Sequence, residues 1–314
     1  MVSPLKAPIS PHQPVLYQYI LQALQPHAGG LYVDGTIGAG GHAFGILEAS
    51  SPDGQLLGLD VDPRALELAW QKLAFFNERV FIKQASYTNL QEQLEAMGWK
   101  AVDGILLDLG ISSMQLDTTE RGFSFRIDGP LDMRFNPQNP VSAETLVNEL
   151  TESELADLIY KYGEERYARR VAHAIVRARP LHSTQQLAQV VAGATRSGRF
   201  GLHPATRTFQ ALRIVVNQEL QALQKFLPLA LNSLAPGGRI AIIAFHSLED
   251  RIVKQFYRRE SRDCLCPPQQ PVCTCHHRAA LQEITRRPIQ ARPEEVRLNP
   301  RAHSARLRVA EKLA

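Results

Sequence analysis

Leu31-Tyr32-Val33-Asp34-Gly35-Thr36-Ile37-Gly38-Ala39-Gly40-Gly41-His42 decides how this chain is read. A short apolar run ends in an acid, four glycines follow within seven residues, and Ala43-Phe44-Gly45-Ile46-Leu47 resumes an apolar pattern at helical spacing. That order predicts a strand, a tight glycine turn and a helix. Glycines belong there because the backbone must turn sharply or admit a ligand where a Cβ would clash. A second strand, Leu56-Leu57-Gly58-Leu59-Asp60, also ends in an acid. Asp60 falls roughly 20 residues beyond the glycines, where a ribose-binding carboxylate belongs. The pair predicts a cofactor that contains a nucleoside.

The dinucleotide fingerprint G-x-G-x-x-G is absent, and so is the G-x-x-x-x-G-K-[ST] loop of NTPases. Gly38-x-Gly40-Gly41 is denser, and Asp34 precedes it. A carboxylate beside the turn would repel a pyrophosphate but would hold an ammonium or a sulfonium. S-adenosylmethionine carries both cations and a ribose diol for Asp60. A third strand, Ala101-Val102-Asp103-Gly104-Ile105-Leu106-Leu107-Asp108, again ends in an acid and runs into the small, polar stretch Ile111-Ser112-Ser113. In open α/β sheets ligands sit outside the carboxyl ends of the strands, so Asp34, Asp60 and Asp108 are expected along one edge.

The 314 residues, 44% of them hydrophobic, suffice for one large core or two domains. No signal peptide is read at the start, and the longest aliphatic run, Ile240–Phe245, is too short to span a bilayer. A soluble, cytoplasmic protein with no membrane association is expected; the oligomeric state stays open. The net charge of +4 hides a strong asymmetry. Residues 1–159 carry 9 Lys and Arg against 20 Asp and Glu, residues 160–213 carry 10 against 2, and residues 251–314 carry 14 against 6. Two arginine-rich blocks beside an acidic cofactor domain point to a polyanionic substrate, with nucleic acid expected.

From about Ser142 to Arg213 the pattern turns helical, with capping boxes at Thr151–Glu154 and Ser183–Gln186. Arg166, Arg169 and Arg170 are expected on one helix with Val171, Ile175 and Val176. A helix from about Thr208 leads back, with a break or kink expected at Pro228, and the sheet resumes over Gly237–Phe245. In the loop Glu120–Pro137, three arginines interleave with Phe123, Phe125 and Phe135, a composition suited to an unstacked base and its phosphates. Cys264, Cys266, Cys273 and Cys275 fall within twelve residues. That clustering suits a structural tetrahedral zinc, although C-x-C is a weaker signal than C-x-x-C.

Taken together these motifs resemble the bacterial 16S ribosomal RNA cytosine-N(4) methyltransferases of the RsmH (formerly MraW) type. The similarity runs from H-Q-P-V-L at 12–16 and D-G-T-I-G-A-G-G-H at 34–42 through D-G-I-L-L-D-L-G-I-S-S-M-Q-L-D at 103–117, R-G-F-S-F at 121–125, D-G-P-L-D-M-R at 128–134 and Y-G-E-E-R at 162–166. It continues through H-P-A-T-R-T-F-Q-A-L-R at 203–213 and A-P-G-G-R at 235–239 to F-H-S-L-E-D-R-I-V-K at 245–254. The resemblance implies an α/β fold, a class I SAM-dependent methyltransferase (Rossmann-like) sheet with a helical domain inserted after the fourth strand. The expected division is 1–115 for the first part of the methyltransferase domain, 116–213 for an RNA-recognition insert, and 214–314 for the second part with the cysteines and the basic C-terminal segment.

The same resemblance places cofactor contacts on Gly40, Gly41, His42, Asp60, Tyr87, Asp108 and Gln115. Tyr87 stands where relatives often carry Phe, and Met114 where Pro is common. The implied reaction is methyl transfer from S-adenosylmethionine to the exocyclic amine of a specific cytosine of 16S rRNA, in the decoding region of the small ribosomal subunit. Asp108 and His246 are the candidate catalytic residues. Two rivals remain: a small-molecule methyltransferase, and a non-catalytic RNA-binding factor that keeps the fold.

Overall fold

A computed structural model describes residues 14–195, 203–267, 269, 270 and 272–314. His12, Gln13, Arg196 and Arg199, which the motifs and charge blocks include, lie outside the described residues. The chain divides into two compact units, residues 1–110 with 224–314, and residues 111–223.

The first unit is built on a seven-stranded sheet. Its strands are β1 (Leu31–Asp34), β2 (Gln55–Asp60), β3 (Val80–Gln84), β4 (Val102–Asp108), β5 (Leu234–Ala244), β6 (Leu281–Glu283) and β7 (Arg306–Lys312). They lie in the order β3-β2-β1-β4-β5-β7-β6. β1 to β5 are parallel, and β7 runs antiparallel to both β5 and β6. Parallel strands covered on both faces need continuous aliphatic runs. Val33, Leu56, Leu57, Leu59, Ile105, Leu106 and Leu107 accordingly have no exposed surface. The strand order reverses at β1, whose neighbours are β2 and β4, and this switch point opens a crevice at the carboxyl edge.

The glycine turn opens the helix Gly41–Ala49 as expected, with Gly40 at the N-cap at φ 76°, a left-handed backbone that costs glycine nothing. After β2, Asp62 caps the helix Pro63–Leu73 by accepting from the Arg64 amide, and Pro63 occupies the first turn, where no amide is needed.

Three strands are not evident from the sequence. β3 is five residues long and pairs only with β2, so it offers little periodicity. β6 has three residues. β7 reads Arg-Leu-Arg-Val-Ala-Glu-Lys and has the composition of a basic block, yet Arg308 is 3% exposed on it. Of the break or kink expected at Pro228, the break is corrected. The helix Glu219–Ser233 continues through Pro228, because one missing hydrogen bond is offset by the burial of Phe226, Leu227 and Ala230 around it.

The second unit is helical. Its main helices are Ala143–Glu149, Glu152–Gly163, Ala168–Arg177, Thr184–Ala194 and Thr206–Val216. The two capping boxes read from sequence are formed, Thr151 with Glu154 and Ser183 with Gln186. Leu155, Ile159, Val171, Ile175, Leu187, Val191 and Leu212 form the core of this unit. Arg169 and Arg170 lie exposed on Ala168–Arg177, whereas Arg166 sits in the turn that precedes this helix.

Candidate active site

The carboxyl edge of β1, β2 and β4 brings Asp34, Asp60 and Asp108 into one neighbourhood, with the turn after β1 stitching the strands together. The Gly35 amide donates to Leu106 O (2.9 Å) and the Ile37 amide to Leu59 O (2.9 Å). The Asp108 amide donates to the Thr36 hydroxyl oxygen (2.7 Å). Asp60 accepts from the Gly38 amide (3.0 Å) and the Asp62 amide (2.9 Å), so the glycine loop is held by the acid that the spacing singles out. Thr36, which ties β1 to β4, is not among the residues expected from sequence; its place between two conspicuous glycines is the only sequence signal for it.

The electrostatics of this edge are those of acids gathered together, each raised by burial and most by one another. Burial raises the Asp34 carboxyl to about 7, with Asp60 adding repulsion. Burial likewise raises Asp60 to about 6, partly opposed by the amides of Asp62 and Gly38. Asp108 is pushed up to about 8 by burial and by the charges of Asp34 and Glu249. Its Oδ1 is enclosed and makes no hydrogen bond. As a whole, 27% of the Asp108 side chain remains open, which tempers the rise through hydration.

The nearest basic ring is His42, with Nδ1 3.7 Å from Asp108 Oδ2. It is no counter-ion. Its Nε2 pairs with Val15 O at 2.9 Å, and burial lowers its pKa to about 4, so it is neutral at pH 7.

The other expected site residues fall as follows. A Cβ on Gly41 would lie 2.5 Å from Pro14 Cγ, so this glycine admits the close approach of Pro14. Tyr87 begins a short helical turn, borders Gly35 and packs edge-on against Phe226 at 5.2 Å. His246 caps the helix Ser247–Glu260. Its Nδ1 accepts from the Glu249 amide at 3.4 Å, Glu249 Oε2 accepts from the Phe245 amide at 2.9 Å, and His246 Nε2 lies 3.1 Å from Glu249 Oε1. Glu249 is a residue the sequence reading misses, although H-S-L-E has the spacing of a capping box. Within the helical unit, Gln115 closes a capping box with Ser112, its Oε1 accepting from the Ser112 amide at 3.2 Å.

Two expectations about RNA-facing side chains are corrected. Phe123 stacks on Phe135 at 5.4 Å, and Phe125 packs between His203 and Phe209, so these rings belong to the helical core. In the same loop Arg121 is buried against the carbonyls of Arg134 and Phe135, while Arg126 alone of the three arginines stays exposed. Arg213, at the end of the basic block expected to meet a polyanion, forms a two-pronged pair with Glu219 at 2.8 and 2.9 Å and is 12% exposed. Arg207 is half exposed, 3.7 Å from Glu165.

The four cysteines lie on the loop between the helix Ser247–Glu260 and β6, as free thiols with their sulfurs gathered. That 14-residue helix starts at the carboxyl edge and carries the chain roughly 20 Å along its axis before the loop begins. No helix among the described residues is long and apolar enough to cross a membrane.

The family described as MraW methylase matches residues 9–313. A protein of Heliobacterium mobile named ribosomal RNA small subunit methyltransferase H is 51% identical over 308 residues, 96% of this chain and 99% of its own length. Proteins of that name from Geobacter sulfurreducens and Thermomicrobium roseum are 52% and 50% identical, over 96% and 99% of this chain and 99% and 96% of theirs.

Proposed function

The chain belongs to the MraW methylase family, and on that premise we propose that it is an S-adenosylmethionine-dependent methyltransferase of small-subunit ribosomal RNA that modifies the N4 amine of a cytosine. One observation carries the assignment. Asp34, Asp60 and Asp108 are gathered at the switch point with pKa values raised by burial and mutual repulsion, and one enclosed oxygen of Asp108 makes no hydrogen bond among the described residues. Buried carboxylates left so are complementary to a ligand with two positive charges and a diol.

When bound, the sulfonium supplies an activated methyl group. Asp60 accepts the ribose hydroxyls while its backbone hydrogen bonds keep the glycine loop closed. Tyr87 walls the adenine. Gly40 and Gly41 keep the turn free of side chains, and His42 stays neutral with its Nε2 paired to Val15 O. The cytosine amine is a poor nucleophile because its lone pair is shared with the ring. Through the open part of its carboxylate, Asp108 accepts one amine N–H, holds the nitrogen in line, and takes the proton as the new N–C bond forms. His246 is a positioning residue that holds the first turn of the helix beside this edge. A metal held by the four cysteines would be structural and outside this chemistry.

Arg166, Arg169 and Arg170, all exposed, bind phosphates of the rRNA. Incubating the protein with labelled S-adenosylmethionine and small-subunit particles tests the assignment. Label should appear in N4-methylcytosine after nucleoside digestion. Label confined to small molecules would favour the small-molecule rival, and no transfer would favour the binding-factor rival.

A further inference from the structure

The loop between Glu260 and Leu281 has no apolar core of its own. From Arg262 to His276 none of the described residues is buried, and Leu265 and Val272 are 40% and 71% exposed. Ordering so many residues without burial is unfavourable. Yet this loop brings four sulfurs to one point. The Sγ atoms of Cys264, Cys266, Cys273 and Cys275 lie within 4.8 Å of one another. Cys264 and Cys273 are 3.5 Å apart, Cys273 and Cys275 3.6 Å, and Cys275 and Cys264 3.8 Å.

These separations are too long for disulfides, whose S–S bond is about 2.05 Å. They match the edges of a tetrahedron: with a Zn–S bond of about 2.3 Å, sulfurs sit roughly 3.8 Å apart. The backbone is arranged for negative sulfurs. The Leu265 amide points at Cys275 Sγ (3.3 Å), the Cys266 amide at Cys264 Sγ (3.4 Å) and the Thr274 amide at Cys266 Sγ (3.5 Å). Such N–H···S hydrogen bonds orient thiolate ligands and spread their charge.

We propose that Cys264, Cys266, Cys273 and Cys275 bind one zinc ion as a closed tetrathiolate, and that this ion is the core of the loop. Four thiolates leave no open position, so the role is structural. Zinc replaces the four thiol protons, and its binding energy orders the loop, as in small zinc modules. The two ends of the loop meet in a groove of about 460 Å³ lined by Arg258, Ser261, Arg262, Glu283 and Arg286, among others.

The test uses the full-length protein, purified without chelator under reducing conditions. Elemental analysis should find one zinc per chain. All four thiols should resist a thiol reagent until a strong chelator is added, and cobalt substitution should give the spectrum of a tetrahedral tetrathiolate. The C264S/C273S double variant should lose the metal and become cleavable within residues 261–280, while its affinity for S-adenosylmethionine stays within about twofold of wild type. Full-length protein that contains no zinc, or iron in its place, or whose thiols react freely before chelation, would overturn the proposal. So would a metal-free variant whose loop stays as protease-resistant as wild type. None of these outcomes depends on whether the protein methylates RNA.

Discussion

Asp250 and Asp108 are both acids set into the sheet unit, and their surroundings are opposite. Asp250 is 8% exposed and faces Arg308 Nε at 2.6 Å, with Arg306 at 3.6 Å. Asp108 faces a neutral histidine and two further acids, and one of its oxygens bonds nothing. Asp250 joins the first turn of the helix Ser247–Glu260 to β7, so its charge serves the fold. Asp108 stands at the switch point with its charge opposed by its neighbours. A buried charge that has its partner marks architecture. One that lacks it marks the place where a ligand of opposite sign completes the structure.

Breaking the paired region should give the largest effect on stability. Arg308→Met removes the closer of the two arginines that face Asp250 and should cost up to about 3–5 kcal/mol in chemical denaturation. Adding Asp250→Leu should recover most of that loss, because an apolar pair of similar volume often replaces a buried ion pair at no net cost. Asp108→Asn should behave in the other sense, with stability unchanged or increased, since it removes a repulsive charge. A large loss of stability in Asp108→Asn would erase the contrast.

Next in size is the ribose interaction. Asp60→Ala should weaken S-adenosylmethionine binding by about ten- to hundredfold, as expected when a charged acceptor worth roughly 1.5–3 kcal/mol is removed. Calorimetry on the folded variant measures this directly, and unchanged affinity would remove Asp60 from the site.

The pH dependence of the ligand-free protein carries a definite sign. Asp34, Asp60 and Asp108 have folded-state values of about 7, 6 and 8, all above the ordinary carboxylate range. The folded state therefore holds protons that the unfolded chain has already released. Their contribution is fully present below about pH 4 and is lost as pH rises through about 6 to 8. Melting temperature should decline across that window, and Asp108→Asn should flatten the decline. A melting temperature that climbs through the window in wild type and variant alike would contradict the raised values.

The smallest effects belong to the exposed arginines. Changing Arg166, Arg169 and Arg170 to Gln should leave stability within about 0.5 kcal/mol. It should also flatten the salt dependence of binding to small-subunit particles by about 0.7–0.9 in logarithmic slope for each phosphate no longer neutralised. Arg213→Gln should do the reverse, lowering the melting temperature through loss of the charged pair with Glu219 and leaving the slope alone.

The same contrast explains what the sequence discloses. Asp34, Asp60 and Asp108 are legible because each ends an aliphatic run, and strand ends with a glycine turn have few other meanings. The capping boxes are legible because they are local. Arg213 and Arg308 look like surface cations because charge alone does not say what faces it; their partners, Glu219 and Asp250, are set by folding. The phenylalanines of 123–135 look like a base platform for the same reason. Pro228 suggests a helix break through its local cost, which tertiary packing outweighs. β7 is hidden because its pairing partners lie at residues 239–244 and 281–283, beyond any short window.

The most direct test of the central claim, that the carboxyl-edge acids await a cationic ligand, is calorimetric titration of S-adenosylmethionine at pH 6 and pH 8 in two buffers of different ionisation heat. A ligand that needs Asp34 and Asp108 ionised should bind at least roughly tenfold more tightly at the higher pH for each carboxylate that must shed its proton, and protons should be released on binding at the lower pH. Affinity that is equal at both pH values, with no proton release, would contradict the account.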